Sequence, residues 1–172
     1  YQEAITLSVN DVNEVATDIS LTSKSFNENI DAASTVATLS TTDVDASDSH
    51  TYSLVSGTGD TDNALFTIDG SDLKISSSPD YETQSSYSIR LKTADSGGLT
   101  YEEAVTLSVN DVNEVATDIS LTSTSFNENI DAASTVATLS TTDADASDSH
   151  TYTLVSGTGD TDNDSFTIDG SE

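Results

Sequence analysis

The 172-residue chain contains no cysteine, no tryptophan and no methionine, and a single proline. Without cysteine there can be no disulfide framework and no thiolate metal site, and the compartment is not fixed by redox chemistry. Basic residues are nearly as scarce. Four Lys and Arg stand against 31 Asp and Glu, a formal charge of -27. That balance excludes nucleic acid, whose phosphates require Lys and Arg to displace their counterions. It also argues against an anionic membrane surface. No apolar run approaches 18 residues, so no membrane insertion is expected. A third of the residues are hydrophobic and evenly spread, enough for small cores.

The opening "YQEAITLSVN" alternates like a strand and has no targeting pattern, so it reads as the interior of a longer protein. The same stretch returns 100 residues later. Residues 1–72 align with 101–172 without a gap. They differ only at Gln2/Glu102, Ile5/Val105, Lys24/Thr124, Val44/Ala144, Ser53/Thr153, Ala64/Asp164, Leu65/Ser165 and Asp72/Glu172. A period of 100 residues is too long for a solenoid unit that needs its neighbours to fold. It suits a small domain repeated in tandem. Residues 1–14 then form the final strand and linker of one repeat, 15–114 a whole repeat, and 115–172 the front part of the next.

Within the whole repeat the period is two. Tyr87, Ile89 and Leu91 alternate with Ser88, Arg90 and Lys92, and Val105, Leu107 and Val109 alternate likewise. Ile19 with Leu21 and Tyr52 with Leu54 mark two more strands. Phe66/Ile68 and Leu73/Ile75 flank a tight Asp-Gly turn. Val36 is out of phase with Leu39 and Thr41, which predicts a bulge. No stretch has a helical period. About seven strands per 100 residues predict an all-β protein of tandem antiparallel β-sandwiches of Greek-key, immunoglobulin-like type.

The acids gather where strands end, in "FNENID", "TTDVDASD", "SPDYETQ", "TADSGG" and the seams "NDVNEV". A hard cation such as Ca²⁺ takes six to eight oxygens, and Asp-x-Asp or Asp-x-Glu can aim two carboxylates at one point. Any one such cluster alone is ordinary acidic surface. The ordered set resembles the cadherin repeat family, the bacterial cadherin-like repeats in particular. "NEN" is similar to its Pro-Glu-Asn element, "DVD" and "DAD" to its Asp-x-Asp, and "PDYET" to its Leu-Asp-Arg-Glu. "ADSGG" is similar to its Ala-x-Asp-x-Gly, "DVNEV" to its Asp-x-Asn-Asp-Asn linker, and "FTIDG" to its Phe-x-Ile-Asp segment.

The resemblance implies calcium at each linker. At the 114/115 junction it implies Glu28, Asp80 and Glu82, then Asn113, Glu114 and the carbonyls of Val112 and Val115, then Asp143 and Asp145. At the 14/15 junction it implies Asn13, the Val15 carbonyl, Asp43, Asp45 and Asp95. Glu114 stands where the family usually has Asp, and Val115 where it has Asn. Residues 15–114 carry 17 acids and four bases, a charge of -13. Three calcium ions would leave -7, so Asp31, Asp60, Asp62 and Asp72 read as solvated acidic surface.

Other motifs are weaker. "GDTDND" at 159–164 begins like an EF-hand loop, but Ser165 and Ser171 occupy the glycine and glutamate positions. "GTGDTDN" lacks the basic residue and the helix of a phosphate loop. His50 and His150 read as surface residues, and no nucleophile–base pair emerges, so the chain is not expected to be an enzyme. The resulting expectation is a secreted, cell-surface stalk or adhesion repeat of a large bacterial protein, stiffened by calcium and by neighbouring repeats. Two alternatives stand beside it. One is a subunit of a surface layer or filament, with other copies of itself as partners. The other is a module binding a polysaccharide or protein, for which Tyr1, Tyr81 and Tyr101 are the aromatic candidates.

Overall fold

Strict alternation makes the two longest strands. β7 (Ser86–Ala94) and β8 (Thr100–Asn110) pair antiparallel along their whole length, with Tyr87 opposite Leu107 and Ile89 opposite Val105. Their inward residues Ile89, Leu91 and Leu107 are essentially inaccessible. In this computed structural model, which describes residues 1–172, the chain forms two compact units, residues 1–112 and 113–172.

The first unit adds β1 (Asp18–Leu21), β2 (Ser25–Asn27), β3 (Thr35–Thr42), β4 (Thr51–Leu54), β5 (Phe66–Asp69) and β6 (Asp72–Ile75). They form two four-stranded sheets, ordered β1-β3-β6-β5 and β2-β8-β7-β4. The Asp-Gly turn joins β5 to β6 through two residues. Gly70 has φ +62° at the first central position, as type II′ hairpins require. The out-of-phase Val36 falls at a register shift between Thr35 and Ala37 against β6. The strand that periodicity missed is β2. Three residues long, it pairs parallel with β8, the one parallel ladder in an otherwise antiparallel sandwich.

Between the sheets lies one core of Ile19, Phe26, Val36, Ala37, Leu39, Phe66, Leu73, Ile75 and the inward residues of β7 and β8. Phe26 stacks on Tyr87 with centroids 6.1 Å apart, and Phe66 meets Tyr87 edge-on at 5.4 Å. Burial of each large apolar side chain contributes about 1.5–3 kcal/mol. At one end of the core the sheets are joined by hydroxyls. Thr41 Oγ1 on β3 donates to the Tyr52 hydroxyl at 2.9 Å, and lies 3.0 Å from Thr93 Oγ1 on β7. This triad fixes the strand ends that carry Asp43 and Asp95.

Residues 1–17 form no strand, and Ile5, Leu7 and Val9 are exposed. The nearly identical residues 101–110 lie wholly within β8. Alternation therefore marks a strand only where a partner edge is available, since an isolated strand leaves its hydrogen-bonding groups and apolar face in water.

The second unit repeats the early elements alone. β9 (Asp118–Leu121) pairs with β10 (Leu139–Thr142) in the register of β1 on β3. Thr141 and Tyr152 keep their hydroxyl contact at 2.8 Å, and Phe126 meets Phe166 at 6.2 Å. Residues 125–127 and 166–169 form no strands. Ile119, 59% exposed, contrasts with its counterpart Ile19 at 1%.

Candidate metal centre

The first acidic centre is built from a segment without secondary structure and two strand-end loops. Oxygens of Asp11, Glu14 and Asp45 lie within 4.8 Å of one another. Glu14 is placed by its own backbone, whose N–H donates to Asp45 Oδ2 at 2.8 Å. Asp45 in turn donates its N–H to Asp43 Oδ1 at 3.1 Å, so the Asp-x-Asp folds as one turn. Asn13 Nδ2 donates to Asp95 Oδ2 at 3.0 Å. Gly97 permits that approach, because a Cβ there would lie 2.5 Å from Asn13 Oδ1. The loop after β7 closes on the same carboxylate, with Leu99 N–H donating to Asp95 Oδ1 at 2.9 Å.

The electrostatics follow from this crowding. Burial, then the neighbouring carboxylates of Asp45 and Asp11, pushes the Glu14 carboxyl up. The Asp43 carboxyl is held down by its hydrogen bond with His50, then by the Asp45 amide. Burial raises Asp95. Hydrogen bonds from Asn13 and the amides of Leu99, Gly98 and Gly97 outweigh it and hold the group below the ordinary range.

The second centre, at the opposite end of β8, groups oxygens of Glu28, Glu82 and Asp111 within 4.8 Å. Glu28 is only 2% exposed. Its Oε1 accepts from Val112 N–H at 2.7 Å and its Oε2 from Tyr81 N–H at 2.8 Å. Both oxygens of this buried side chain therefore have a hydrogen-bond donor, as buried polar groups require. Asp80 lies outside the group. Its two oxygens accept from the Thr83 amide at 2.8 Å and hydroxyl at 3.0 Å, so it serves as a loop cap.

The second unit repeats part of the first centre. Glu114 N–H donates to Asp145 Oδ2 at 2.6 Å, and Asp145 N–H to Asp143 Oδ1 at 3.2 Å. Asn113 Nδ2 donates to the Glu114 carbonyl at 2.8 Å. Asn113, Glu114 and Asp143 border a hollow of about 400 Å³ with Val115, Asp148 and His150. Val15, Val112 and Val115 expose their side chains; a valine side chain has no ligand atom, so only their backbone oxygens could serve as ligands.

Clustered carboxylates with side-chain amides and carbonyls suit a hard, oxygen-loving divalent cation. The sequence missed Asp11, Glu14 and Asp111 in these groups, although all three sit inside the "DVNEV" seams it singled out. It also took both histidines for surface residues. His50 Nε2 lies 3.0 Å from Asp43 Oδ2, with its side chain largely buried, and His150 lies 3.7 Å from Asp143. Three acids read as solvated surface also make local hydrogen bonds. Asp62 Oδ2 accepts from Ser88 N–H at 2.6 Å, Asp60 Oδ2 from Gly57 N–H at 2.9 Å, and Asp72 Oδ1 from the Thr38 hydroxyl at 3.2 Å. Tyr81 and Tyr101 pack against the core, so Tyr1 is the one fully exposed ring of the three aromatic candidates.

No family model matches the sequence. No curated protein matches it either. Solved structures do match. Human Protocadherin-24 EC1-2 superposes with a TM-score of 0.57 at 21% identity, covering 77% of this chain and 61% of that one. Protocadherin Gamma B2 extracellular cadherin domains 3-6 gives 0.53 at 20% identity, covering 74% and 31%. The chain thus spans less than two thirds of either structure. The fold is cadherin-like.

Proposed function

We propose that the chain is a calcium-stiffened adhesion or stalk segment of a large bacterial surface protein, acting outside the cell. The observation that carries this reading is the Asp11–Glu14–Asp45 group. It joins a segment with no secondary structure to the loop that follows β3. A cation there would cross-link the linker to the body of the repeat. Without one, three carboxylates crowd together and favour separation. Asn13, Asp43, Asp95 and the Val15 carbonyl complete the proposed ligand set. At the linker 111–115, the proposed ligands in the first unit are Glu28, Asp80, Glu82, Asp111 and the Val112 carbonyl. In the second unit they are Asn113, Glu114, the Val115 carbonyl, Asp143 and Asp145. Asp80 would have to release Thr83 to take part. We take 15–114 as the repeating module, because near-identical copies serve length better than variety.

The test is calcium titration followed by calorimetry and small-angle scattering. Calcium is expected to raise the melting temperature by mass action, since it binds only the folded arrangement. It is also expected to narrow the distribution of interatomic distances. Identical scattering and melting in chelator and in excess calcium would rule the reading out.

A further inference from the structure

β7 meets β4 over only part of its length. The ladder pairs Leu91–Ala94 with Thr51–Leu54, and from Ser86 to Arg90 the same edge has no strand beside it. The residues that follow β4 take that place. Val55 N–H donates to the Arg90 carbonyl at 3.0 Å, and Asp62 N–H to the Ser88 carbonyl at 2.9 Å. The amides of Ser88 and Arg90 are taken by side chains. Ser88 N–H donates to Asp62 Oδ2 at 2.6 Å, and Arg90 N–H to Asn63 Oδ1 at 2.9 Å. Gln84 Nε2 donates to the Ser86 carbonyl at 3.0 Å and to Asp62 Oδ1 at 3.1 Å.

The loop is fastened to itself and to the sheet. Asn63 Nδ2 donates to the Val55 carbonyl at 2.9 Å, and Gly57 N–H to Asp60 Oδ2 at 2.9 Å. Arg90 Nη1 donates to the Thr58 carbonyl at 3.1 Å, while its Nε and Nη2 donate to Glu102 Oε2 at 3.2 and 3.1 Å. Gly59 lies flat on β8, where a Cβ would stand 2.7 Å from Ala104 Cβ. The counterpart loop keeps both internal bonds, Asn163 to the Val155 carbonyl at 2.9 Å and Gly157 to Asp160 at 2.8 Å, although Ala64/Asp164 and Leu65/Ser165 differ. The loop's own residues thus set its shape.

Charge explains why this edge needs cover. Copies of a chain with a formal charge of -27 repel one another, and β8 adds Glu102 and Glu103 to that repulsion. β7 carries Arg90 and Lys92 and no acid. Of the two longest strands it is the one at which an acidic copy meets attraction.

We propose that residues 55–63 are a guard that holds the edge of β7 shut against strand addition by a second copy of this chain. Unpaired N–H and C=O groups on a strand edge are a template for another chain, and main-chain bonds supply the affinity of such contacts. Asp62, Asn63 and Gln84 occupy those groups from within. The guard makes no use of the metal centres.

The full chain carrying Asp62→Ala and Asn63→Ala, in chelator, tests the proposal. Hydrogen exchange is read at the Ser88 and Arg90 amides, with Tyr87 and Ile89 as internal reference, because alternation turns their amides toward β8. In dilute solution Ser88 and Arg90 are expected to exchange roughly tenfold faster relative to that pair, each having lost one bond. As concentration rises, the weight-average mass in sedimentation should climb above that of the unaltered chain. Protection at Ser88 and Arg90 should return with it, as a second copy pairs with them. Val105→Ala controls for lost stability; it should unfold more easily and sediment like the unaltered chain. Asn63→Ala alone frees the Arg90 amide and gives the same reading if the double variant does not fold. A mass profile equal to that of the unaltered chain, equal association in Val105→Ala, or association without regained protection at Ser88 and Arg90 would overturn the proposal.

Discussion

Glu28 Oε1 accepts the backbone amide of Val112 across 84 residues of sequence, at 2.7 Å. The other oxygen of the same buried carboxylate takes the amide of Tyr81. One side chain thereby fastens the exit of β8 to the loop before β7 without any metal. Glu28→Gln keeps the shape but presents an NH₂ to one of the two N–H groups. We expect a loss of about 1–3 kcal/mol, the cost of leaving a buried donor unsatisfied. Urea unfolding in chelator measures it. Unchanged stability would show that these bonds are replaceable by water.

Calcium affinity should discriminate among acids that sequence alone leaves equivalent. Glu14→Gln and Asp45→Asn each remove a carboxylate from the first centre, and roughly tenfold weaker binding, about 1.4 kcal/mol, is expected for each. Asp31→Asn changes an exposed loop acid outside the clusters and should leave the isotherm in place. Equal losses for all three would mean that diffuse charge, not a site, gathers the ions.

Asp62 is expected to behave in the opposite way. Its carboxylate accepts from the Ser88 amide and from Gln84 Nε2 at 3.1 Å, tying the loop before β5 to β7. Asp62→Ala should lower unfolding stability by about 1–3 kcal/mol and leave calcium binding unaltered. A calcium defect without a stability defect would assign Asp62 to a metal site.

Amide exchange should separate the two units. Amides of Ser86–Asn110 are expected to exchange slowly, with the core. Those of Ser125–Asn127 and Thr167–Asp169 should exchange at nearly unprotected rates in dilute solution. The eight large apolar side chains that Leu73–Val109 supply to the first core have no counterpart in residues 113–172. At about 1.5–3 kcal/mol each, their sum matches or exceeds the roughly 5–15 kcal/mol net stability of an ordinary domain. Comparable protection in both units at low concentration would contradict this.

Much of the fold was legible because burial alternates. Tyr87, Ile89 and Leu91 declared β7, Val105 to Val109 declared β8, and Val36 declared its bulge. β2 was not, since three residues with one buried Phe26 carry no period. Its existence depends on a parallel edge 83 residues away, in the Asn27–Asn110 contact. The site was legible as a set of loops more than as a set of atoms. Asp45 groups with Asp11 and Glu14, and Asp95 takes Asn13. Asp80 turned onto Thr83, and His50 onto Asp43, because short-range hydrogen-bond geometry decides such rotamers and leaves no trace in spacing.

Two copies of one sequence, the second present only to its 58th residue, also show which elements form without the last strands. Both form the ladder of Ile19 or Ile119 with its partner strand, both keep the Thr–Tyr hydroxyl contact, and both hold Asn29/Asn129 and Ala33/Ala133 at left-handed φ near +60°. Whatever appears in both copies needs only the first 58 residues of a repeat. β2, β4, β5 and the long arms of β3 appear only where the last strands are present. The turns and the first ladder are therefore encoded locally, whereas the rest of the sandwich is built against the closing hairpin of β7 and β8.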